Sequence, residues 1–350
     1  MRCTFSKKLM GPLLTALACM AAGGVAAKEL TPVTLIYFTG SSESIQIGVM
    51  VEHKLFEKHG LKPEFANATS GPAITSALAS GSVQFGPGYP GLYLPALKQK
   101  RDLVVAAPFA ETSFYSIIGH ADADIKDPGK GLTDQAKANL KQLEGKRVGV
   151  TALGAQTQIF VQLLAQQAGV DASKITFIPT GGAASALSAF KTNQVDYLVT
   201  WIPEDGLMKD AGIGYKNLVN VNTGPDNTFG DLINDLWLAN GKFVRENPEA
   251  ALAFCKATIE ARQFIADPAN KDAVLAVMQK YQALKPEGAQ TVYNDRRYVY
   301  EPTEATYVDE DLWKAQSQYL TGTSLEGYVP PYKDHINAEC MKLGKDAIVR

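Results

Sequence analysis

Four short stretches of this sequence combine small residues with side-chain hydroxyl or amide groups. They are Thr39-Gly40-Ser41-Ser42 with Glu43 following, Ser70-Gly71-Pro72, Gly154-Ala155-Gln156-Thr157, and Thr180-Gly181-Gly182. Small residues let a backbone approach a bound molecule closely, and the polar side chains add hydrogen-bonding groups. Each stretch opens a helical pattern. Its first N–H groups, and the positive end of the helix dipole, therefore face whatever lies in front of the turn. The chemistry this suits is noncovalent capture of a small polar or anionic group. Any one of the four, taken alone, is more readily read as a plain helix cap than as a ligand contact. Their recurrence in equivalent places is what favours binding.

Aromatic residues form the second set. Phe38, Tyr89, Phe114, Tyr115, Trp201 and Trp237 fall at or just after strand-like runs, where they could stack on a flat apolar ligand. Core packing is the alternative for each. Glu111 and Glu204 also fall near strand ends and could accept from a ligand amine or amide; rim carboxylates would look the same. Arg296 and Arg297 could pair with a carboxylate or sulfonate, or be solvated surface. No clear arginine stands in the four turns, which favours backbone-amide anion binding or a largely neutral ligand.

Nothing in the pattern reads as catalytic. The histidines are His53, His59, His120 and His335. His53 and His59 are six apart, the wrong spacing for a helix-borne metal pair. A nucleophile elbow, a zinc-protease helix motif and a phosphate-binding loop are all missing. The expectation is a non-enzyme with no metal and no cofactor. A formal net charge of -2 provides no basic field for nucleic acid.

The first residues differ in kind. Arg2, Lys7 and Lys8 precede an apolar stretch from Leu9 to about Ala22, and Val25-Ala26-Ala27 fits a signal-peptidase site. The expectation is a signal peptide over 1–27, a mature chain from Lys28 and a periplasmic location. Cys19 follows Ala16-Leu17-Ala18, an imperfect lipobox, so a lipoprotein anchor stays open. Cys3 and Cys19 would leave with the signal peptide. Cys255 and Cys340 would remain, either paired in an oxidising compartment or as two separate buried thiols.

These turns need elements to position them. The 350 residues suffice for two α/β domains, and 46% hydrophobic with 20% charged residues reads as globular. From residue 32 strands and helices alternate. Strand runs fall at 33–38, 62–69, 83–86 and 103–109, and a helix with Ile45, Val49 and Phe56 on one face ends at Gly60. The pattern restarts at Gly145, with strands at 146–151, 174–179 and 195–201. Helical patterns follow at 248–266, 271–281 and 307–320, and the polar stretch 120–142 reads as a loop or boundary. Alternation of this kind predicts parallel sheets covered on both faces. The two halves repeat each other. An offset of about 112 puts Ala77 on Ala189, Leu78 on Phe190, Val83 on Val195, Phe85 on Tyr197 and Tyr89 on Trp201.

The phrases "GVMVEHKLFEKHGL", "TSGPAITSALASGSVQFG", "LEGKRVGVTALGAQTQIFVQLLAQQAGV" and "SALSAFKTNQVDYLVTWIPE" together resemble the nitrate/sulfonate/taurine-type solute-binding proteins of ABC importers. Binders of thiamine-precursor pyrimidines belong to the same broad group. The resemblance covers residues 32–265 and, more loosely, the tail. It implies a two-lobed α/β periplasmic-binding-protein fold, type II-like, with a helical C-terminal extension on lobe one. Lobe one would be 28–117 plus 233–350, and lobe two 118–232. Crossings would lie near 112–120 and 226–240. A small-molecule ligand would sit between the lobes of a monomer, which would deliver it to a permease and ATPase complex. Sulfonate, taurine, nitrate, aromatic carboxylate and pyrimidine ligands are all compatible. The alternatives are a ligand-presenting sensor subunit or a pyrimidine-synthesis enzyme of the same fold; the Cys-rich motif of those enzymes is absent here.

Overall fold

A computed structural model describes Met1 and residues 29–110, 115–129, 131–219, 233, 235–296 and 307–348. The first half begins with β1 (Thr31–Tyr37), whose β-branched residues suit a pleated, half-buried strand. The expected single helix to Gly60 is two, α1 (Glu43–Glu52) and α2 (Leu55–Lys58). Lys54, with φ of 53°, breaks it between them. β2 (Leu61–Asn67) pairs in parallel with β1 along its length. α3 (Gly71–Ser80) starts where Ser70 Oγ accepts from Ala73 N at 3.3 Å, with Pro72 in its first turn. β3 (Phe85–Gly88), α4 (Pro90–Lys98) and β4 (Leu103–Ala110) complete this half.

The second half holds β5 (Ser116–His120), α5 (Asp134–Leu140), β6 (Arg147–Val150), α6 (Gln156–Ala168), β7 (Thr176–Pro179), α7 (Ala183–Lys191), β8 (Tyr197–Thr200), α8 (Glu204–Ala211) and β9 (Tyr215–Val219). The helix α5 lies inside the stretch expected to be a loop. Its seven residues bury little apolar surface, so their pattern is faint. Thr133 caps it, accepting from Ala136 N at 3.0 Å, and Asn139 Nδ2 anchors it to the Leu218 carbonyl at 3.1 Å.

The C-terminal part contributes β10 (Asp235–Asn240), α9 (Gly241–Glu246), α10 (Pro248–Ala266), α11 (Lys271–Gln282), α12 (Pro286–Arg296), α13 (Glu310–Ala315), α14 (Tyr332–His335) and α15 (Ala338–Ile348). The helix expected over 307–320 is α13 continued by a 3₁₀ turn, Gln316–Leu320.

Among the described residues the strands form two five-stranded sheets, ordered β2-β1-β3-β10-β4 and β7-β6-β8-β5-β9. The units β1-α-β2-α3-β3 and β6-α6-β7-α7-β8 have the same topology, as the internal repeat implies. Neither sheet is wholly parallel, contrary to expectation. β10 runs antiparallel between β3 and β4, and β5 runs antiparallel between β8 and β9. The reason is connectivity. β5 follows β4 of the other sheet and β10 follows β9, so each enters its sheet from the neighbouring lobe rather than through a right-handed crossover helix.

Each lobe has an aromatic core. Phe85 stacks on Phe254 at 4.0 Å between ring centroids, and Trp237 meets Phe109 and Phe254 edge-on at 5.6 and 5.5 Å. In the second lobe His120 stacks on Phe190 at 4.1 Å. Cys255 of α10 and Cys340 of α15 form a disulfide with Cα atoms 5.8 Å apart, which decides between the two alternatives left open above. α10 and α11 pack on α1 in lobe one. The extension also reaches lobe two, because α12 lies against α8. There Asp210 accepts from Lys285 N at 2.6 Å and Gly288 N at 2.8 Å. Gly206 and Gly288 permit the close approach: a Cβ on Gly288 would stand 2.6 Å from the Gly206 carbonyl oxygen.

Candidate functional site

A cavity of about 370 Å³ opens between the two sheets, beyond the carboxyl ends of β1, β2, β3, β6 and β8. That is where open α/β sheets place ligands. From lobe one it takes Phe38, Thr39, Gly40, Ser41, Ser42 and Glu43 at the start of α1. Asn67, Ala68 and Thr69 after β2, Gly71 at the start of α3, and Tyr89 between β3 and α4 complete that wall. Tyr115 stands just before β5. Lobe two adds Thr151 after β6, Ala155, Gln156 and Thr157 at the start of α6, Gly182 and Ala183 at the start of α7, and Trp201 after β8. Four helix N-termini thus converge on one space. The α1, α3, α6 and α7 dipoles present their positive ends to it.

Local hydrogen bonds hold each turn. Gly40 has φ of +85°, a conformation that favours glycine, and its N–H donates to Ser44 Oγ at 2.8 Å. Thr39 N donates to Asn67 Oδ1 at 3.2 Å, linking the β1 and β2 ends. Gln282 Nε2, from the end of α11, donates to the Ser41 carbonyl at 2.8 Å. In lobe two, Thr157 Oγ1 accepts from Thr151 N at 3.0 Å. Gln156 joins the lobes: its Oε1 accepts from Gly91 N of α4 at 3.0 Å.

The floor is acidic. Glu43 is 1% exposed, and its Oε1 accepts from the Tyr89 hydroxyl at 2.9 Å while Oε2 accepts from Ser41 Oγ. The Asp235 carboxyl lies beside it, fully buried. Burial pushes the Glu43 carboxyl above the usual carboxylate range, and burial together with the neighbouring Glu43 charge pushes Asp235 well above it. Among the described residues, no Lys, Arg or His lines the cavity.

Several residues singled out from the sequence lie elsewhere. Trp237 is wholly buried in the lobe-one core, its indole N–H donating to Gln46 Oε1; its position on a central strand between β3 and β4 turns it inward. Glu204 is also fully buried. Its Oε2 accepts from Trp201 N at 2.8 Å, so it holds the turn that carries Trp201 rather than facing the cavity. Burial raises its carboxyl well above the ordinary range. Ser70 is the α3 cap. Gly154 and Gly181, with φ of +73° and +74°, shape the approach to α6 and α7, one residue outside the lining. Glu111, Phe114 and Arg297 lie outside the described residues. Sequence reasoning had Glu43 within its first turn, 39–44, without naming it as a contact, and passed over Asn67, Ala68, Thr69, Thr151 and Ala183. All sit within three residues of the turns it chose, so extending each turn to the neighbouring strand end would have included them.

The histidines are engaged structurally. His53 packs at a tilt against Phe264, His59 pairs with Glu260 at 3.0 Å, and His335 meets the Leu103 carbonyl at 3.1 Å. Among the described residues no group of three His, Cys, Asp or Glu side chains is placed to hold a metal ion.

With the geometry in place, the comparison with known proteins is direct. A profile described as "NMT1/THI5 like" matches residues 42–271, most of both lobes. The chain belongs to the NMT1/THI5-like family. A Brucella abortus (strain 2308) relative named as a binding protein is 28% identical over 255 residues, covering 72% of each chain. The periplasmic nitrate-binding protein NrtA of Synechocystis PCC 6803 superposes with a TM-score of 0.71 at 16% identity, covering 92% of this chain and 90% of that one. The alkanesulfonate-binding protein SsuA of Xanthomonas axonopodis pv. citri, bound to MOPS, gives 0.67 at 15% identity, covering 89% and 98%. At these identities the two structures establish the fold: this NMT1/THI5-like chain has the two-lobed periplasmic-binding-protein architecture, type II-like. Among its described residues no helix is long and apolar enough to cross a membrane.

Proposed function

We propose that the protein is the solute-binding component of an ABC importer, capturing a small organic or oxyanion ligand between its lobes. The observation that carries this is the single cavity built from equivalent helix-opening turns of two repeated units, with Phe38, Tyr89, Tyr115 and Trp201 as its aromatic walls. Lobe bounds of 28–117 plus 233–350 and 118–232 accompany the proposal. So does the set of ligand contacts: Phe38, Thr39, Gly40, Ser41, Ser42, Gly71, Tyr89, Ala155, Gln156, Thr157, Gly182 and Trp201. A ligand touching both walls binds the closed arrangement better than an open one and shifts the population toward closure by that difference. The closed form is then what a permease would recognise.

The test is a thermal-shift screen of the mature chain against sulfonates, nitrate, aromatic carboxylates and pyrimidines. A ligand at about 100 times its Kd adds roughly 2.7 kcal/mol to folding stability. The binding compound should also reduce the radius of gyration in small-angle scattering. No stabilisation by any class would remove the solute-capture reading, and binding with an unchanged profile would remove closure.

Export belongs to the same proposal. The charged start, apolar stretch and Val25-Ala26-Ala27 end support a cleaved signal peptide and a periplasmic protein. Mass spectrometry of the exported form should find an N-terminus at Lys28. A chain found intact in the cytoplasm would count against it.

A further inference from the structure

The two walls of the cavity differ in electrical character. Glu43 is the one acidic residue lining it among the described residues, and no cationic side chain accompanies it. The hydroxyls of Tyr89 and Ser41 donate to its two oxygens, and Ser42 Oγ stands 3.4 Å from Oε2. Asp235 is next to it and shares a hydrogen bond with it, with only the Gly88 and Leu236 backbone as further, poorly aligned neighbours and no hydroxyl donor. A carboxylate is better solvated where several donors surround it. Glu43 therefore carries the charge of the pair and Asp235 the proton. The Tyr89 hydrogen is committed to Glu43, and the Ser41 hydrogen to Glu43 or to the Phe38 carbonyl, 2.8 Å away. What these side chains present to a bound molecule is oxygen lone pairs.

The opposite wall has the reverse character. α6 and α7, of 13 and 9 residues, end on it with their positive poles, and no carboxylate stands in front of them among the lining residues. On lobe one the positive pole of α1 is already matched by Glu43 in its first turn, which leaves α3 as the one unmatched helix start on that wall against two on the other.

Resting on the solute-capture reading, we infer that Glu43, backed by Asp235 and Tyr89, selects a dipolar solute. Its cationic or N–H-rich head sits on the lobe-one floor, and its anionic or acceptor end lies against α6 and α7. Glu43 has hydroxyl donors but no cation among the lining residues, so a ligand lacking the donor head leaves its buried charge uncompensated and binds less tightly.

Two matched probe pairs test this by calorimetry: 4-(aminomethyl)benzoate against 4-(hydroxymethyl)benzoate, and taurine against isethionate. Each pair exchanges an ammonium for a hydroxyl at nearly constant shape. The wild-type chain should bind at least one ammonium member about 10- to 100-fold more tightly than its hydroxyl partner, the range expected for a charge-assisted hydrogen bond. Glu43→Gln keeps the volume and an acceptor for Tyr89 but removes the charge, and should bring the two members within about threefold of each other. Equal binding of both members by wild type would overturn the inference without any variant being made, whether or not Glu43→Gln folds. So would discrimination that persists in Glu43→Gln. If no probe binds while an amine-free anion from the thermal-shift panel does, the dipolar class is wrong and solute capture stands. If nothing in the panel binds, solute capture itself falls and this inference with it.

Discussion

Trp237→Ala is expected to destabilise the fold by about 3–5 kcal/mol, the usual range for removing a large aromatic from a well-packed core. It should leave the affinity of the remaining folded protein nearly unchanged. Trp237 has no exposed surface, is held edge-on by Phe109 and Phe254, and donates to Gln46. Truncation therefore opens a void and leaves a buried amide oxygen without its donor. Trp201→Ala should behave in the opposite way. Its side chain forms part of the cavity wall, and Glu204 fixes its backbone. Losing a stacking partner lowers ligand affinity by about 0.5–1.5 kcal/mol beyond the area lost. Urea unfolding and calorimetry on both variants separate the two roles. Trp237→Ala protein that folds but does not bind, or Trp201→Ala protein that binds as tightly as wild type, would reverse the assignments.

Opening the Cys255–Cys340 bond should lower stability by about 2–4 kcal/mol. The two cysteines are 85 residues apart in sequence, so the bond closes a long loop in the unfolded chain. In the folded chain it joins α10, which packs on β4 and α1, to α15 near the C-terminus. Both cysteines are fully buried, so a reductant reaches the bond only after local opening. A melting curve with reductant should fall below one without it, and the double variant Cys255→Ser/Cys340→Ser should match the reduced wild type in both. Identical melting of wild type in the two conditions, with free thiols demonstrated by labelling, would show that α15 docks without needing the bond.

Much of the architecture was legible before any tertiary structure. The repeat that aligns Tyr89 with Trp201 places both just after equivalent strands, β3 and β8. Each of the four helix-opening turns contributes at least one residue to the cavity. Helix ends were read well where a glycine stops the chain in the left-handed region, as at Gly60. Elements with little apolar pattern were not: α5 has few buried apolar residues to reveal it, and the break at Lys54 has no glycine or proline to mark it.

What the sequence determined by itself was therefore local and periodic: the order of strands and helices, the two-fold repetition, and the small polar turns in front of the helices. These depend on residues close together along the chain. Tertiary structure alone decided what depends on distant residues meeting. It put Trp237 in a core and Trp201 on a cavity wall, although both are tryptophans near strand ends. It brought Glu43 to Asp235 across 192 positions of sequence, turning a helix-cap carboxylate into half of a buried pair. It sent β5 and β10 antiparallel into sheets that alternation predicted to be parallel. The physical reason is the same in each case. Burial, the pairing of charges and the choice of sheet neighbour are set by which surfaces meet, and no local window of sequence contains both partners.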